Sequence, residues 1–122
     1  MKILVVDDAV FMREKIKTYL KRFGFEICEA ENGEIAVMMY KTENPDIVTM
    51  DITMPKMNGI EAVKRILNMD KDAKIIMVSA LGQESIVVEA MKLGAKDFVV
   101  KPLKEDRLIE SIDRILNSRL LS

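Results

Sequence analysis

Short apolar runs alternate with longer stretches of helical periodicity five times along the chain. The runs at 2–6 (KILVV), 26–30 (EICEA), 47–50 (IVTM), 74–78 (KIIMV) and 98–100 (FVV) are rich in Ile and Val. They are too apolar for burial on one side only, which predicts strands covered on both faces. Between them, Met12, Ile16, Tyr19, Leu20 and Phe23 share one helical face, with Gly24 placed to stop the helix. Ile35, Ala36, Met39 and Tyr40 repeat the pattern as far as Asn44-Pro45. Ile60, Val63, Ile66 and Leu67 form a third stripe, and Val87, Ala90 and Met91 a fourth, closed by Gly94. Leu108, Ile109, Ile112, Ile115 and Leu116 form the last. Alternation at these lengths implies βαβ units with right-handed crossovers. The expected fold is α/β, a (βα)5 doubly wound parallel five-stranded sheet, as one domain over residues 1–122.

The polar residues that end these runs carry the chemistry. ILVV ends in Asp7-Asp8, PDIVTM in Asp51, KIIMV in Ser79 and DFVV in Lys101. In open parallel sheets, ligands bind outside the carboxyl ends of the strands, where the strand order reverses. Neighbouring strands lie about 4.8 Å apart, so the three carboxylates can approach one cavity and repel one another there. A hard divalent cation relieves that repulsion, and oxygen ligands beside solvent suit Mg²⁺, with Mn²⁺ as the alternative. Lys101 adds a mobile positive charge and Ser79 a hydroxyl donor. Together they have the makings of a site that transfers a phosphoryl group to a carboxylate. Taken singly, each residue has a plainer reading: Asp8 or Ser79 as a helix cap, Lys101 as a solvated strand end. Five coincidences at one sheet edge make the plain readings a poor joint explanation.

Composition narrows the field. With 122 residues, 49% hydrophobic and 32% charged, the chain suits one soluble domain with a single core. A net charge of −1 gives no electrostatic reason to bind nucleic acid or an anionic membrane. No segment reads as a secretory leader or a membrane span, so the cytoplasm is the default location. The lone Cys28 excludes an intrachain disulfide, and the absence of histidine excludes imidazole catalysis and an internal histidine phosphodonor. A monomer is the default expectation.

Four ordered segments, VDDAVFMR, DITMPKMNGIE, VSALG and KDFVVKP, resemble the receiver domain of two-component response regulators across essentially the whole chain. The resemblance implies a flavodoxin-like sheet of order 2-1-3-4-5, imported from the family rather than read from periodicity. It implies that Asp51 accepts a phosphoryl group from a histidine kinase, with Mg²⁺ held by Asp7, Asp8, Asp51 and the Thr53 backbone carbonyl. It further implies that Lys101 and Ser79 contact the phosphoryl oxygens and that the bond before Pro102 is cis. Such a protein is a phosphoacceptor rather than an enzyme, catalysing only its own phosphorylation and dephosphorylation. Phe98 takes the aromatic-switch position, and without a hydroxyl it cannot form a new tyrosine-type hydrogen bond. Thr53 and Leu81 occupy positions along the route of attacking water. Neither is a carboxylate or amide, so slow self-dephosphorylation is expected.

By the same resemblance, the fourth helix, fifth strand and fifth helix form an output face that includes Val87, Met91, Phe98 and Val100. Ile86, Val87 and Val88 cannot all face one core, so at least one should be exposed. Met12 beside Arg13 is the candidate for kinase docking. The Phe-Met-Arg of DDAVFMR favours a stand-alone chemotaxis-type receiver, with the flagellar switch as a candidate target and a phosphatase as a further partner. With the fifth helix so near the end of the sequence, no attached DNA-binding module is expected. A phosphorelay intermediate, or a receiver cut from a larger regulator, fits the same residues. Two other classes fit less well. A small Mg²⁺-dependent aspartyl-phosphate phosphatase of the haloacid-dehalogenase type would want an aspartate where Thr53 stands. A flavodoxin would want a Ser/Thr/Gly-rich loop where Asp7-Asp8 would repel the phosphate.

Overall fold

In the computed structural model, which describes residues 1–117, five strands and five helices alternate. They are β1 (Lys2–Val6), α1 (Val10–Lys21), β2 (Glu26–Ala30), α2 (Gly33–Glu43), β3 (Ile47–Asp51), α3 (Gly59–Met69), β4 (Ile75–Ser79), α4 (Glu84–Leu93), β5 (Asp97–Val100) and α5 (Glu105–Leu116). All strand pairs are parallel, and the sheet order is β2-β1-β3-β4-β5. This is the flavodoxin-like order expected for the chain.

The sheet separates two apolar clusters. Leu4, Val6, Val48, Met50, Ile75 and Met77 face one side, packed with Ala36, Ala62, Val63, Ile66, Val87 and Ala90 of α2, α3 and α4. Ile3, Val5, Ile47, Ile76, Val78 and Val99 face the other, packed with Ile16, Leu20, Leu108, Ile109 and Ile112 of α1 and α5. Alternate residues of each strand point to opposite faces, so a strand covered on both sides must be apolar throughout. Apart from Lys2 at the start of β1, the buried Thr49 within β3 and the polar ends Asp51 and Ser79, that holds for β1, β3 and β4. It does not hold for the edge strands, where only Ala30 of β2 and Val99 of β5 are buried. An edge strand lacks a neighbour on one side, so its flanking helices cover it incompletely. The stripe residues Met12, Tyr19 and Phe23 of the first helical face are likewise only partly buried.

Two strand ends also lie one residue beyond the apolar runs. Asp51 is the last residue of β3 and Ser79 the last of β4, both fully in the ladder. The helices that follow start by different means. Asn32 caps α2 by accepting from the Ile35 N–H at 2.8 Å, and Asn58 caps α3 from the Glu61 N–H at 3.0 Å. The N-cap of α1 is Ala9, whose side chain caps nothing. The helix-cap reading of Asp8 therefore fails, because the chain turns into the helix one residue later.

Candidate metal and phosphoryl site

Register brings the polar strand ends together. Val6 is paired with Met50, so Asp7 and Asp51 stand side by side, each one residue further on. Asp51 is paired with Val78, and Ser79 with Val100, so the site steps outward by one residue at each strand until it reaches Lys101. The strand order reverses between β1 and β3, where such crevices form. Oxygen atoms of Asp7, Asp8 and Asp51 all lie within 4.8 Å of one another. Asp7 and Asp51 are buried, at 1% and 5% exposure, whereas Asp8 is exposed to solvent.

Lys101 answers the buried charge. Its Nζ lies 3.3 Å from Asp51 Oδ1 and 3.5 Å from Asp7 Oδ2. Only the contact with Asp51 has hydrogen-bond geometry, and Asp7 Oδ2 is buried without a hydrogen-bond donor. Asp7 Oδ1 accepts from the Ala9 N–H at 2.9 Å, which fixes the carboxylate against the turn into α1. Burial and then the Asp7 carboxylate push the Asp51 carboxyl up from 3.8 to about 6, against the pull of Lys101. Burial pulls the Lys101 ammonium down, yet Asp51 and Asp7 together hold it above its ordinary value. A buried carboxylate oxygen with no donor, beside two more carboxylates, is a donor set suited to a hard cation. The residues fit Mg²⁺.

The surrounding loops approach closely. A Cβ at Gly59 would lie 2.3 Å from the Asp51 carbonyl oxygen, and the Gly59 N–H donates to the Ile52 carbonyl at 2.8 Å. Glycine here lets α3 begin directly against the end of β3 that carries Asp51. The Lys101–Pro102 peptide bond is cis. The Ser79 hydroxyl is buried at the end of β4, well before α4, whose N-cap is Gln83. A helix-capping role for Ser79 is thus excluded. Thr53 stands exposed just beyond Asp51, and Leu81 is 94% exposed.

A family comparison decides what this constellation belongs to: the model described as "Response regulator receiver domain" matches residues 3–113. The chain belongs to that family. This receiver is 56% identical over 117 residues to the chemotaxis protein CheY of Bacillus subtilis, covering 95% of the chain and 98% of the relative. It is 52% identical over 115 residues to CheY of Thermotoga maritima, covering 93% and 96%. Among solved structures, the CheX–CheY–BeF3–Mg complex from Borrelia burgdorferi contains a chain similar at TM-score 0.90. The two are 42% identical, over 95% of the receiver and 89% of that chain.

Of the four residues expected on the receiver's output face, Met91, Phe98 and Val100 are exposed, at 37%, 45% and 56%. Val87 is not a surface residue: it is 6% exposed and packs in the core with Ala90, while Val88 is 53% exposed. In a run of three branched residues, the one in phase with Ala90 goes inward. A groove of about 560 Å³ between α4 and β5 is lined by Met91, Val88, Phe98 and Val100, and it reaches Ser79 and Lys101. Met12, on α1, is partly buried against the apolar cluster on that side of the sheet, and its neighbour Phe11 is 74% exposed. Among the described residues, no helix is long and apolar enough to cross a membrane.

Two residues around the site were not assigned a role from sequence. Arg13 donates to the Asp7 carbonyl at 2.6 Å and pairs with Glu29 at 3.0 Å, bracing the acidic turn against β2. Gln83 bridges two loops beside Asp51. Each makes a hydrogen bond to a residue far away in the chain, Glu29 for Arg13 and Thr53 for Gln83, and such bonds leave no periodic signal. The one available hint was Arg13 five residues beyond the acidic pair.

Proposed function

We propose that this receiver is a phosphorylation-dependent switch for chemotaxis, working as one unit over residues 1–122, with Asp51 as phosphoacceptor. The observation that carries it is the buried Asp51 carboxylate, held 3.3 Å from Lys101 and within a three-carboxylate cluster at the sheet's switch point. Transfer from a histidine kinase forms a bond between an Asp51 oxygen and phosphorus. The phosphorus–nitrogen bond breaks, and its electron pair returns to the donor imidazole. The nucleophile must be ionised, and a carboxyl at about 6 is largely so above pH 7. Lys101 and Ser79 lie at adjacent strand ends, where they would meet oxygens of the arriving group. Asp7, Asp8, Asp51 and the Thr53 carbonyl would hold Mg²⁺. When bound, the ion neutralises the carboxylates and the charge on the phosphoryl oxygens.

The readout is a change in partner affinity across the α4-β5-α5 face, through Phe98, Val100 and Met91. The similarity to CheY of B. subtilis and T. maritima supports a chemotaxis role in the cytoplasm, with a protein of the flagellar switch as target. The Borrelia complex supports a CheX-like phosphatase as a further partner. The protein acts on its own aspartate and on no separate substrate. The test is intact mass after incubation with Mg²⁺ and acetyl phosphate, comparing the wild type with Asp51→Asn. A gain of one phosphoryl mass, absent with EDTA and in the variant, is expected. No gain with any divalent cation would overturn the reading.

A further inference from the structure

A single carboxamide joins the two loops that flank Asp51 on the β3–β4 side. Gln83 Oε1 accepts from the Ala80 backbone N–H at 2.6 Å, and its Nε2 donates to Thr53 Oγ1 at 2.8 Å. The amide can face only one way, because a backbone N–H has nothing but a proton to offer. Ala80 directly follows Ser79, and Thr53 stands two residues past Asp51. The bridge therefore crosses from the loop after β4 to the loop after β3. Gln83 is also built into α4, since its own carbonyl accepts from the Ile86 and Val87 N–H groups at 3.1 Å. Leu81, at 94% exposure, covers nothing. Of the side chains that leave this β4–α4 loop, Gln83 is the one with a hydrogen bond to the other side.

We propose that Gln83 is a positioning residue: a strap across the β3–β4 side of the Asp51 pocket that restricts water and lengthens the life of the aspartyl phosphate. This rests on the phosphorylation of Asp51 proposed above. In hydrolysis, a water oxygen bonds to phosphorus and the bond from phosphorus to the Asp51 oxygen breaks. The electron pair of that bond returns to the carboxylate, and the hydrogens of the water leave with inorganic phosphate. Gln83 takes no proton in this step. Engaged at both ends, its carboxamide holds the two loops together beside the reacting bond.

The test is decay of the phosphorylated protein in Mg²⁺ after rapid removal of acetyl phosphate, followed by intact mass. Gln83→Leu removes both bonds at similar size, and Thr53→Val removes one end. Each should speed decay by roughly fivefold, the factor a single neutral hydrogen bond supplies. The double variant should decay no faster than Gln83→Leu, because both changes cut one strap. Gln83→Glu should decay near the wild-type rate, since a carboxylate accepts from the Ala80 N–H and from the Thr53 hydroxyl. Unchanged decay in Gln83→Leu, or effects that multiply in the double variant, would overturn the strap. Slower decay would also overturn it, and would mean that Gln83 orients the water. Failure to load any phosphoryl group is a failure of the underlying reading; loading with decay indifferent to Gln83 is a failure of the strap alone.

Discussion

Replacing Asp51 with asparagine should make the metal-free protein more stable at pH 8. The carboxyl sits at about 6 in the folded protein, raised from 3.8 by burial and by Asp7. The folded chain thus binds an extra proton between those values, and the unfolded chain does not. By linkage, wild-type stability rises as pH falls through that window, and above it the full cost of holding the ionised group remains. A shift of about two units at about 1.4 kcal/mol each sets an upper bound near 3 kcal/mol. The value of about 6 already includes the pull of Lys101; burying the asparagine amide without its own full set of partners offsets part of the bound, so a gain of about 1–2 kcal/mol is expected. Urea unfolding in EDTA, followed by circular dichroism because the chain has no tryptophan, measures it. The midpoint should rise by roughly 0.5–1 M at pH 8, and the gain should shrink toward pH 4. A variant no more stable than wild type at pH 8, or a gain that grows on acidification, would refute the electrostatic account.

Two further outcomes follow from the same geometry. Asp8→Ala should abolish Mg²⁺-dependent mass gain, yet change metal-free stability by less than about 1 kcal/mol. Asp8 is exposed and caps nothing, so water screens its repulsion; a large loss in urea titrations would contradict this. Gly59→Ala places a Cβ 2.3 Å from the Asp51 carbonyl and should cost about 2–4 kcal/mol, with reduced phosphorylation. A neutral effect on both readouts would show that the loop yields freely.

What could be read from sequence, and what could not, divides along physical lines. The strand ends were legible because the central parallel strands are almost wholly apolar and β5 still reads as a short apolar run, so Asp7, Asp51, Ser79 and Lys101 mark the ends of their runs visibly. Their meeting depended on sheet order, which periodicity does not encode; family resemblance supplied it. The exposure of Asp8 beside the buried Asp7 was invisible, since both follow the same strand and only the turn at Ala9 separates them. The apolar stripe of Val87 and Ala90 pointed inward correctly, and the output role that the resemblance gave Val87 is what the structure overturns. Arg13 and Gln83 were hidden because the bonds that tie them across the site, to Glu29 and to Thr53, join residues far apart in the chain.

The helices are held with unequal grip, and the difference lies between individual helices rather than between the faces of the sheet. Helix α5 buries Leu108, Ile109, Ser111 and Ile112, whereas α4 buries only Val87 and Ala90 and leaves Val88, Met91 and Leu93 in solvent. The helix that starts at the Gln83 strap is thus among those with the fewest buried anchors, and it shares none of its core with α5. Elements with few buried contacts are the first to shift when a neighbouring bond changes. A disturbance at Ser79 and Ala80 is thus expected to slide α4, which adjoins that loop, more readily than α5. The groove between α4 and β5 is the part of the surface whose width such sliding alters.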